Sequence, residues 1–406
     1  MMSTRVLAAE LSGHVGDRVR VAGWVHRRRR LKSVTFVVVR DRSGLAQVVL
    51  GSAAPPEETV VEVLATVSAN PRAPGGVELV EPVVRTLAEA AAKPPFDLYR
   101  PAVTASLPTI LDHAPVALRH PALKERFAVA AAAVRGFRST LDALGFTEVH
   151  TPKIVASATE SGANVFGIDY FGRRAYLAQS PQLFKQALVG VFERVYEVGP
   201  VFRAEPHDTA RHLAQYTSLD VELGFIRDHH DVMAVLRDVL AGMADPALVT
   251  VPAEIPEIAF PAALDLVGAP ADEPDLAPAH ERALSAWARR EHGSDFLFVT
   301  GYPMAKRPFY THPDPARPGY SNSFDLLFRG VELVTGGQRL HRHADYLAVL
   351  GEAAPGYAGY LQAFAHGMPP HGGFAIGLER WTARLLGVAN VREVTLFPRD
   401  LHRLTP

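Results

Sequence analysis

Residues 194–226, RVYEVGPVFRAEPHDTARHLAQYTSLDVELGFI, determine how the chain around them must fold. They predict two strands joined by a long polar loop. Side chains alternate along a strand, so Ser218, Asp220 and Glu222 share one face while the leucines and valine between and after them share the other. Charged groups are costly to bury without partners, so this face indicates a site for a polar ligand or a metal. An exposed, salt-bridged hairpin is the alternative.

The totals limit the class of protein. A chain of 406 residues, 48% of them apolar, is long enough for two or three domains with substantial cores. No apolar run approaches the roughly 18 residues of a membrane span, and the N-terminus lacks the apolar core of a signal peptide. The absence of cysteine excludes disulfides and thiolate chemistry and suits a cytoplasmic enzyme. The net charge of −1 means that nucleic-acid binding would need a local basic patch.

The first 93 residues predict five short strands separated by Gly and Asp turns, which favours a small barrel of the OB-fold type. The segment HRRRRLKS predicts a loop that carries Arg27 and Lys32, with Phe36 on the next strand and Gln47 on the one after. A basic loop beside an exposed aromatic ring is typical of single-stranded nucleic-acid binding. The alternative is a solvated arginine run with Phe36 in the barrel core.

Residues 94–121 are rich in proline and predict a hinge containing a short helix. Residues 122–144 predict a long helix, and FTEVHTPKIV predicts a strand that carries Pro152 at a sheet edge or bulge. Residues 227–295 predict two amphipathic helices and a proline-rich insertion, with no chemistry assigned to them.

Two further pairs of polar residues are candidates for a site. Arg203 and Glu205 share a face of the first strand of the hairpin by the period-2 rule. Gln182 and Lys185 lie three apart, so one helical turn puts them on the same side. Lys185 has apolar neighbours, which indicates either a stem lying on apolar surface with its amine in water, or an amine that pairs with a carboxylate ligand in a shielded cleft.

Asp325 and Glu332 are an odd number of positions apart and would face opposite sides of one straight strand. A turn at residues 329–330 lets both face one cleft, where two carboxylates make a hard-cation site suited to Mg²⁺. The alternative is a turn-capping Asp and an exposed Glu. Near the C-terminus, GGFAIGLER predicts a strand, a Gly-rich turn and a helix that carries Arg380 and Arg384.

FRAE followed by TSLDVE resembles motif 2 of class II aminoacyl-tRNA synthetases in the aspartyl form, and GGFAIGLER resembles motif 3. The helix, strand and proline after residue 121 resemble motif 1, which forms the homodimer interface in this class. QSPQLFKQ is similar to the aspartyl signature, and asparaginyl relatives lack its Lys. The resemblance covers essentially the whole chain. It implies an α+β protein with an OB-fold anticodon-binding domain (1–93), a hinge (94–121) and a class II catalytic domain of antiparallel sheet flanked by helices (122–406).

The resemblance implies ATP-dependent aspartylation of tRNA through aspartyl-adenylate, with Mg²⁺ as cofactor. The implied catalytic residues are Arg203, Glu205 and Arg380. The implied ATP-binding residues are Arg203, Glu205, Arg211, His212, Tyr216, Glu332 and Arg380. The implied aspartate-binding residues are Glu160, Gln182, Lys185, Asp220 and Arg339. The implied metal ligands are Asp325 and Glu332.

The resemblance also implies the anticodon contacts. They are His26, Arg27, Phe36, Gln47 and Pro74, with the Phe ring stacked on the central U. His26 and Pro74 stand where discriminating archaeal-type relatives carry Trp and Lys, so the expected substrates are both tRNA-Asp and tRNA-Asn. A tRNA-dependent amidotransferase would then be a further partner. The alternatives are a discriminating enzyme for tRNA-Asp, an asparaginyl-tRNA synthetase, an asparagine synthetase of the same descent, and a non-catalytic RNA-binding paralogue.

Overall fold

The computed structural model describes residues 4–51, 53–157 and 164–406. The chain divides into two compact units, Met1–Lys124 with Pro406, and Glu125–Thr405. Within the described residues, no helix is both long and apolar enough to cross a membrane.

The first unit contains a closed barrel of five strands in the order β1-β2-β3-β5-β4, which confirms the predicted OB-fold barrel. Its strands are β1 (Arg18–Arg30), β2 (Thr35–Arg40), β3 (Leu45–Leu50), β4 (Val60–Ala69) and β5 (Val77–Ala88). Burial alternates along them, so Val19, Val21, Val37 and Val39 fill the interior while their neighbours face outward.

The prediction that the arginine run lies in a loop is wrong. Strand β1 continues to Arg30, with Arg27 opposite Val38 and Arg30 opposite Thr35. The turn comes afterwards, closed by a hydrogen bond from the Leu31 amide to the Val34 carbonyl. Because the strand continues, the backbone groups of these arginines are hydrogen-bonded to β2, and their long side chains remain exposed to solvent. Their charges are therefore compatible with a strand.

Three helices follow the barrel. They are α1 (Leu107–Asp112), α2 (Ala114–Ala117) and α3 (Pro121–Ala143). Pro108 and Pro115 stand in the first turns of α1 and α2, where a missing amide hydrogen costs nothing. The long helix predicted at residues 122–144 is confirmed as α3.

The second unit is built on an eight-stranded sheet in the order β12-β13-β14-β15-β16-β11-β10-β6. It also contains a small three-stranded sheet in the order β7-β9-β8. The large sheet is antiparallel except for the parallel pairs β6–β10 and β12–β13 near its edges, so the predicted α+β class is confirmed. Its strands, with those of the small sheet, are β6 (Thr147–Glu148), β7 (Ile154–Val155), β8 (Gly167–Tyr170), β9 (Arg173–Leu177), β10 (Arg194–Phe202), β11 (Gln215–Gly224), β12 (Glu257–Ala259), β13 (Phe296–Thr300), β14 (Ser323–Phe328), β15 (Val331–Gln338) and β16 (His371–Gly377). Its further helices are α4 (Gln182–Phe192), α5 (His229–Met243), α6 (Phe260–Val267), α7 (Pro278–His292), α8 (His343–Leu350), α9 (Ala358–Ala365) and α10 (Leu378–Leu386).

The hairpin predicted at residues 194–226 is confirmed as β10 and β11, paired with Val201 opposite Tyr216. The apolar face of β11 lies in the main core, which leaves Ser218 and its polar partners on the other face. Arg203 and Glu205 follow the end of β10, so their predicted place on the strand itself is wrong.

Two other predictions are corrected. The single strand over FTEVHTPKIV is instead β6 and β7, which belong to different sheets. Between them the chain turns at Pro152, where Thr151 and Lys153 both bond the buried Glu197 carboxylate. The proline-rich insertion contains β12 and α6, because Pro261 is tolerated in the first helical turn and Gly268 ends the helix in the left-handed conformation.

The β14–β15 hairpin turns through Arg329 and Gly330, both with positive φ, as predicted. The pairing register shifts between Leu326 and Leu327, whose partners are Val334 and Glu332. Leu333 is therefore an extra residue, a β-bulge in β15. Because of the turn and this bulge, Asp325, Glu332 and Thr335 all project from one face of the sheet.

Candidate active site

Two neighbouring cavities open on the polar face of the large sheet, and they share Arg203, Tyr216, Ser218, Glu332 and Thr335. The first has a volume of about 200 Å³ and is lined by all seven residues expected to bind ATP, namely Arg203, Glu205, Arg211, His212, Tyr216, Glu332 and Arg380. The second, of about 240 Å³, is lined by Gln182, Lys185, Asp220 and Arg339. Glu160 lies outside the described residues.

Around the mouth of the first cavity, charged groups converge on Glu205. Arg203 Nη1 lies 3.9 Å and His212 Nε2 3.8 Å from its carboxylate oxygens. The Arg203 guanidinium also lies over the Tyr216 ring, with Cζ 5.8 Å from the ring centroid. Burial lowers the pKa of His212, although the Glu205 charge opposes the shift. A flat ring beside a guanidinium and a neutral imidazole can hold a purine and its phosphates.

Arg380 projects from α10 and donates a hydrogen bond of 2.7 Å to the backbone carbonyl of Glu332, with its Nη1 3.7 Å from the Glu332 carboxylate. On the other side, Arg211 Nη1 lies 3.2 Å from Glu281 Oε2, which also accepts the Glu332 amide hydrogen. Glu281 belongs to α7, in the region assigned no chemistry. In the sequence it is one of two carboxylates in a charged helix, so its burial could not be predicted.

Asp325 and Glu332 form the acidic side of the site. Asp325 is buried, and both Nη atoms of Arg307 lie 3.2 Å from its Oδ1. The Glu332 side chain opens into both cavities and is 41% exposed. Burial within the cleft and the Asp325 carboxylate raise the pKa of Glu332. Two mutually repelling carboxylates offer the oxygen donors that a hard divalent cation prefers, so these residues fit Mg²⁺.

Lys185 is 2% exposed at the inner end of the second cavity. Its Nζ donates to Asp220 Oδ1 at 3.1 Å and to the backbone carbonyls of Val221 and Phe374, each at 3.2 Å. The alternative in which this amine reaches water is therefore wrong. In such a shielded cleft, a hydrogen bond from this amine to an anionic ligand is strong.

Glu222 connects Lys185 to Arg339. Its side chain is fully buried; Oε1 accepts from Arg339 Nε at 3.1 Å, and Oε2 lies 3.3 Å from Lys185 Nζ. Arg339 Nη2 also donates to the Gly373 carbonyl at 2.9 Å. Burial favours the neutral acid, but the charges of Arg339 and Lys185 outweigh it and lower the pKa of Glu222. The carboxylate fixes the two cations on one wall.

The charge balance of the second cavity follows from its lining. Among the described lining residues the cations are Lys185, Arg203, Arg307 and Arg339, and the carboxylates are Asp220 and Glu332. Arg307 was not anticipated from the sequence, where it is one cation in a short basic segment. Gln182 is buried, and within the described part of the chain its Nε2 has no hydrogen-bond partner. Such a cavity suits a small anionic ligand that can also accept a hydrogen bond.

In the barrel unit, Phe36 and Gln47 share the outer surface of β2 and β3, while Thr35 and Val37 point inward. The alternative with Phe36 in the barrel core is wrong. Gln47 Nε2 donates to Glu78 Oε2 at 2.9 Å, and Asn70 Nδ2 donates to the same oxygen at 2.8 Å. These amides and this carboxylate beside an aromatic ring form a surface that can stack a base and read its edge. Sequence reasoning missed Asn70 and Glu78.

The other three residues expected to contact the anticodon are Arg27, Pro74 and His26. Arg27 is exposed with its Cζ 4.9 Å from the Tyr99 ring centroid, and Pro74 is half-buried in the short turn between β4 and β5. His26 is only 6% exposed, at the register shift of β1, and its Nδ1 lies 2.9 Å from Arg40 Nη1. Burial and Arg40 lower the pKa of His26 to about 4.

Two family models match this chain. That of the class II tRNA synthetases for D, K and N matches residues 106–401, and that of the OB-fold nucleic acid binding domain matches residues 19–87.

The chain is similar over its whole length to characterised relatives. The aspartate–tRNA(Asp/Asn) ligase of Thermus thermophilus is 46% identical over 99% of this chain and 100% of its own length. That of Deinococcus radiodurans is 47% identical over 99% of both chains. Among solved structures, the asparaginyl-tRNA synthetase of Pyrococcus horikoshii with asparaginyl-adenylate gives a TM-score of 0.90 at 28% identity, covering 99% of this chain and 100% of its own. A putative aspartyl-tRNA synthetase of Leishmania major gives 0.88 at 28% identity, covering 100% and 95%.

Proposed function

The chain belongs to the class II tRNA synthetases of the D, K and N group, and from this premise we propose that it is an aspartate–tRNA ligase that charges both tRNA-Asp and tRNA-Asn. The observation that carries the aspartate specificity is the buried Lys185–Glu222–Arg339 arrangement beside the cavity lined by the residues expected to bind ATP. An amino acid with a neutral side chain would leave these cations without a ligand, which is unfavourable in a shielded site.

In the first step the α-carboxylate oxygen of aspartate attacks the α-phosphorus of ATP, and the bond to the bridging oxygen breaks to release pyrophosphate. The protein contributes alignment and charge neutralisation. Arg203 lines both cavities, so its guanidinium reaches the point where carboxylate and α-phosphate meet. Lys185 and Arg339 hold the side-chain carboxylate, the planar fork of Arg339 being suited to bidentate contact.

The α-ammonium of the substrate is held by Asp220, Gln182 and Glu160. Asp220 has its second oxygen fixed by Ser218, whose Oγ donates to Oδ2 at 2.5 Å, so its orientation is set before the ligand arrives. This arrangement opposes one charge of the substrate with a carboxylate and the other with two cations.

ATP is held at both ends of the first cavity. Glu205 accepts a hydrogen bond from the adenine amino group, Tyr216 and Arg380 cover the two faces of the ring, and Arg211 and His212 contact the phosphates. Asp325 and Glu332 would hold Mg²⁺, which would supply charge neutralisation on the phosphates. Arg307 bonds Asp325 in this structure and would share that carboxylate with the ion.

In the second step the 3′-hydroxyl oxygen of the terminal tRNA ribose attacks the aspartyl carbonyl, and AMP leaves. The barrel selects the tRNA: Phe36 stacks on the central anticodon base and Gln47 hydrogen-bonds it, with Arg27 on the backbone. His26 and Pro74 stand where discriminating relatives carry the bulkier Trp and Lys, and the smaller side chains admit either tRNA. Because His26 is buried, it acts by leaving space and not by contacting a base.

The enzyme acts in the cytoplasm as a homodimer through α3 and the adjoining β6, and a tRNA-dependent amidotransferase converts its aspartyl-tRNA-Asn. The homodimer and its location rest on the resemblance to motif 1 and on the nature of a translation enzyme.

ATP–pyrophosphate exchange with aspartate, asparagine and lysine tests the amino acid, and charging of purified tRNA-Asp and tRNA-Asn tests the tRNA. We expect exchange with aspartate alone and product on both tRNAs. Exchange with asparagine would indicate an asparaginyl enzyme, absence of exchange a non-catalytic paralogue, and charging of tRNA-Asp alone a discriminating enzyme.

A further inference from the structure

Asp228, His229 and His230 form a cluster at the start of α5, on elements that the proposed reaction does not use. One carboxylate oxygen and one nitrogen from each imidazole lie within 4.8 Å of one another. Asp228 Oδ1 lies 3.1 Å from His230 Nδ1. These two atoms share a hydrogen bond, and ligand atoms about 2.0–2.1 Å from a tetrahedral zinc ion are about 3.3 Å apart, so an ion that replaced the shared proton would require little movement of either atom.

His229 supplies an independent reason to expect a ligand. It is 8% exposed, and among the described residues its buried Nδ1 has no hydrogen-bond partner. An imidazole nitrogen in this position can bind a metal ion.

Glu257 lies on the far side of the His230 ring, its Oε1 3.5 Å from Nε2. Thr300 Oγ1 donates to the same oxygen at 2.9 Å and so holds it in place. Without a metal ion, His230 Nδ1 donates its proton to Asp228 Oδ1; if an ion replaced that proton, the Glu257 carboxylate would hold the other proton on Nε2. Metal-binding histidines are commonly oriented by a carboxylate in this way.

We propose that Asp228, His229 and His230 bind a divalent transition-metal ion of the Zn²⁺ class, with Glu257 orienting the His230 ring. Two imidazoles and one carboxylate select such an ion over Mg²⁺ or Ca²⁺, which prefer oxygen ligands, and water completes the tetrahedron. The positive end of the α5 dipole opposes a cation, and the Asp228 and Glu257 carboxylates offset it. The ion would join the start of α5 to β12, the edge strand of the large sheet, through Glu257.

The test is zinc titration of the full-length, chelator-treated protein against a chromophoric zinc chelator. His230→Ala changes an exposed side chain and should weaken the site at least about tenfold, since loss of even an orienting partner costs about 10–100-fold in affinity. His366→Ala, which removes an exposed histidine elsewhere, is the matched control. Glu332→Gln distinguishes this site from the carboxylates of the ATP cavity.

We expect one zinc ion per chain to be retained in His366→Ala and Glu332→Gln but weakened in His230→Ala. Zinc should also raise the midpoint of thermal unfolding of the native chain more than that of His230→Ala, because a ligand of the folded state stabilises it. Equal zinc affinity in His230→Ala and the native protein, or loss of the ion with Glu332→Gln alone, would overturn the proposal.

Discussion

Arg339 Nε donates a hydrogen bond of 3.1 Å to Oε1 of Glu222, a carboxylate with no exposed surface. The same carboxylate lies against Lys185, so one buried anion holds the two cations that face the amino acid cavity. This relationship makes the recognition of an acidic substrate depend on a residue that does not itself line the cavity.

Glu222→Gln should therefore destabilise the protein, by about 3–5 kcal/mol at neutral pH, because it leaves buried cations without their shared counter-charge. The folded-state pKa of Glu222 lies below its unfolded value near 4.5, so its contribution is fully present above that pH and is lost as pH falls through the folded pKa. Urea unfolding of both proteins across this range should show the difference between them shrinking on acidification. Glu148→Gln, which removes a half-exposed partner of Arg138, should cost no more than about 1 kcal/mol. An equal cost for both variants would contradict the role of Glu222.

Lys185→Met should abolish aspartate-dependent ATP–pyrophosphate exchange. Losing one partner of a buried charged hydrogen bond costs about 2–5 kcal/mol, so kcat/KM should fall at least about 30-fold. Lys153→Met is the matched control, since this Lys also pairs with a buried carboxylate, Glu197, but does not line either cavity. Near-normal exchange by Lys185→Met would remove this residue from substrate recognition.

Phe36→Ala should weaken tRNA charging while leaving adenylate formation unchanged. Stacking of a base on an aromatic ring is worth about 1–3 kcal/mol, so kcat/KM for tRNA should fall about 5–150-fold. Val38→Ala, on the same strand and outer face, should have a smaller effect, and Phe36→Tyr should retain charging. If the alanine variant lost exchange as well as charging, the ring would be structural.

As the pH falls, Mg²⁺ should lose its effect on ATP–pyrophosphate exchange. This loss should occur at a higher pH than it would if Glu332 had the pKa of an ordinary glutamate. Burial and Asp325 raise the pKa of Glu332, so this carboxyl takes up its proton before a solvated one does and then no longer binds the ion. The Mg²⁺ concentration giving half-maximal exchange should be measured across pH for the native enzyme and Glu332→Gln. The variant should need more Mg²⁺ and lose this dependence on pH; an unchanged pH profile would exclude Glu332 as the titrating ligand.

The parts of the fold that follow from local periodicity could be predicted from the sequence. The alternation around Asp220 gave the hairpin, and the turn before Gly330 brought two carboxylates to one side. The arginine run was predicted to be a loop because a run of charged residues was expected to disfavour a strand. On the outside of a barrel, however, the long side chains of a strand remain in solvent. The strand and helix near Phe260 were not predicted because the segment is rich in proline. The proline within the helix stands in its first turn, where proline is tolerated.

The pairings between distant segments could not be predicted. Arg307 meets Asp325 and Arg211 meets Glu281 only because separate strands and helices pack together, and no spacing in the sequence encodes either contact. The burial of His26 has the same origin, since it depends on Arg40 from the neighbouring strand. Sequence patterns therefore indicated which residues line the cleft better than which residues hold them in place.

The extra residue at Leu333 limits how this catalytic unit can diverge. If β15 paired with β14 without this bulge, alternation would run unbroken from Glu332, and Thr335, with the segment leading to Arg339, would turn toward the opposite side of the sheet. The nucleotide half and the amino acid half of the cleft would then no longer share a surface. Substitutions that keep the bulge can therefore change specificity while both halves of the cleft stay on one face of the sheet.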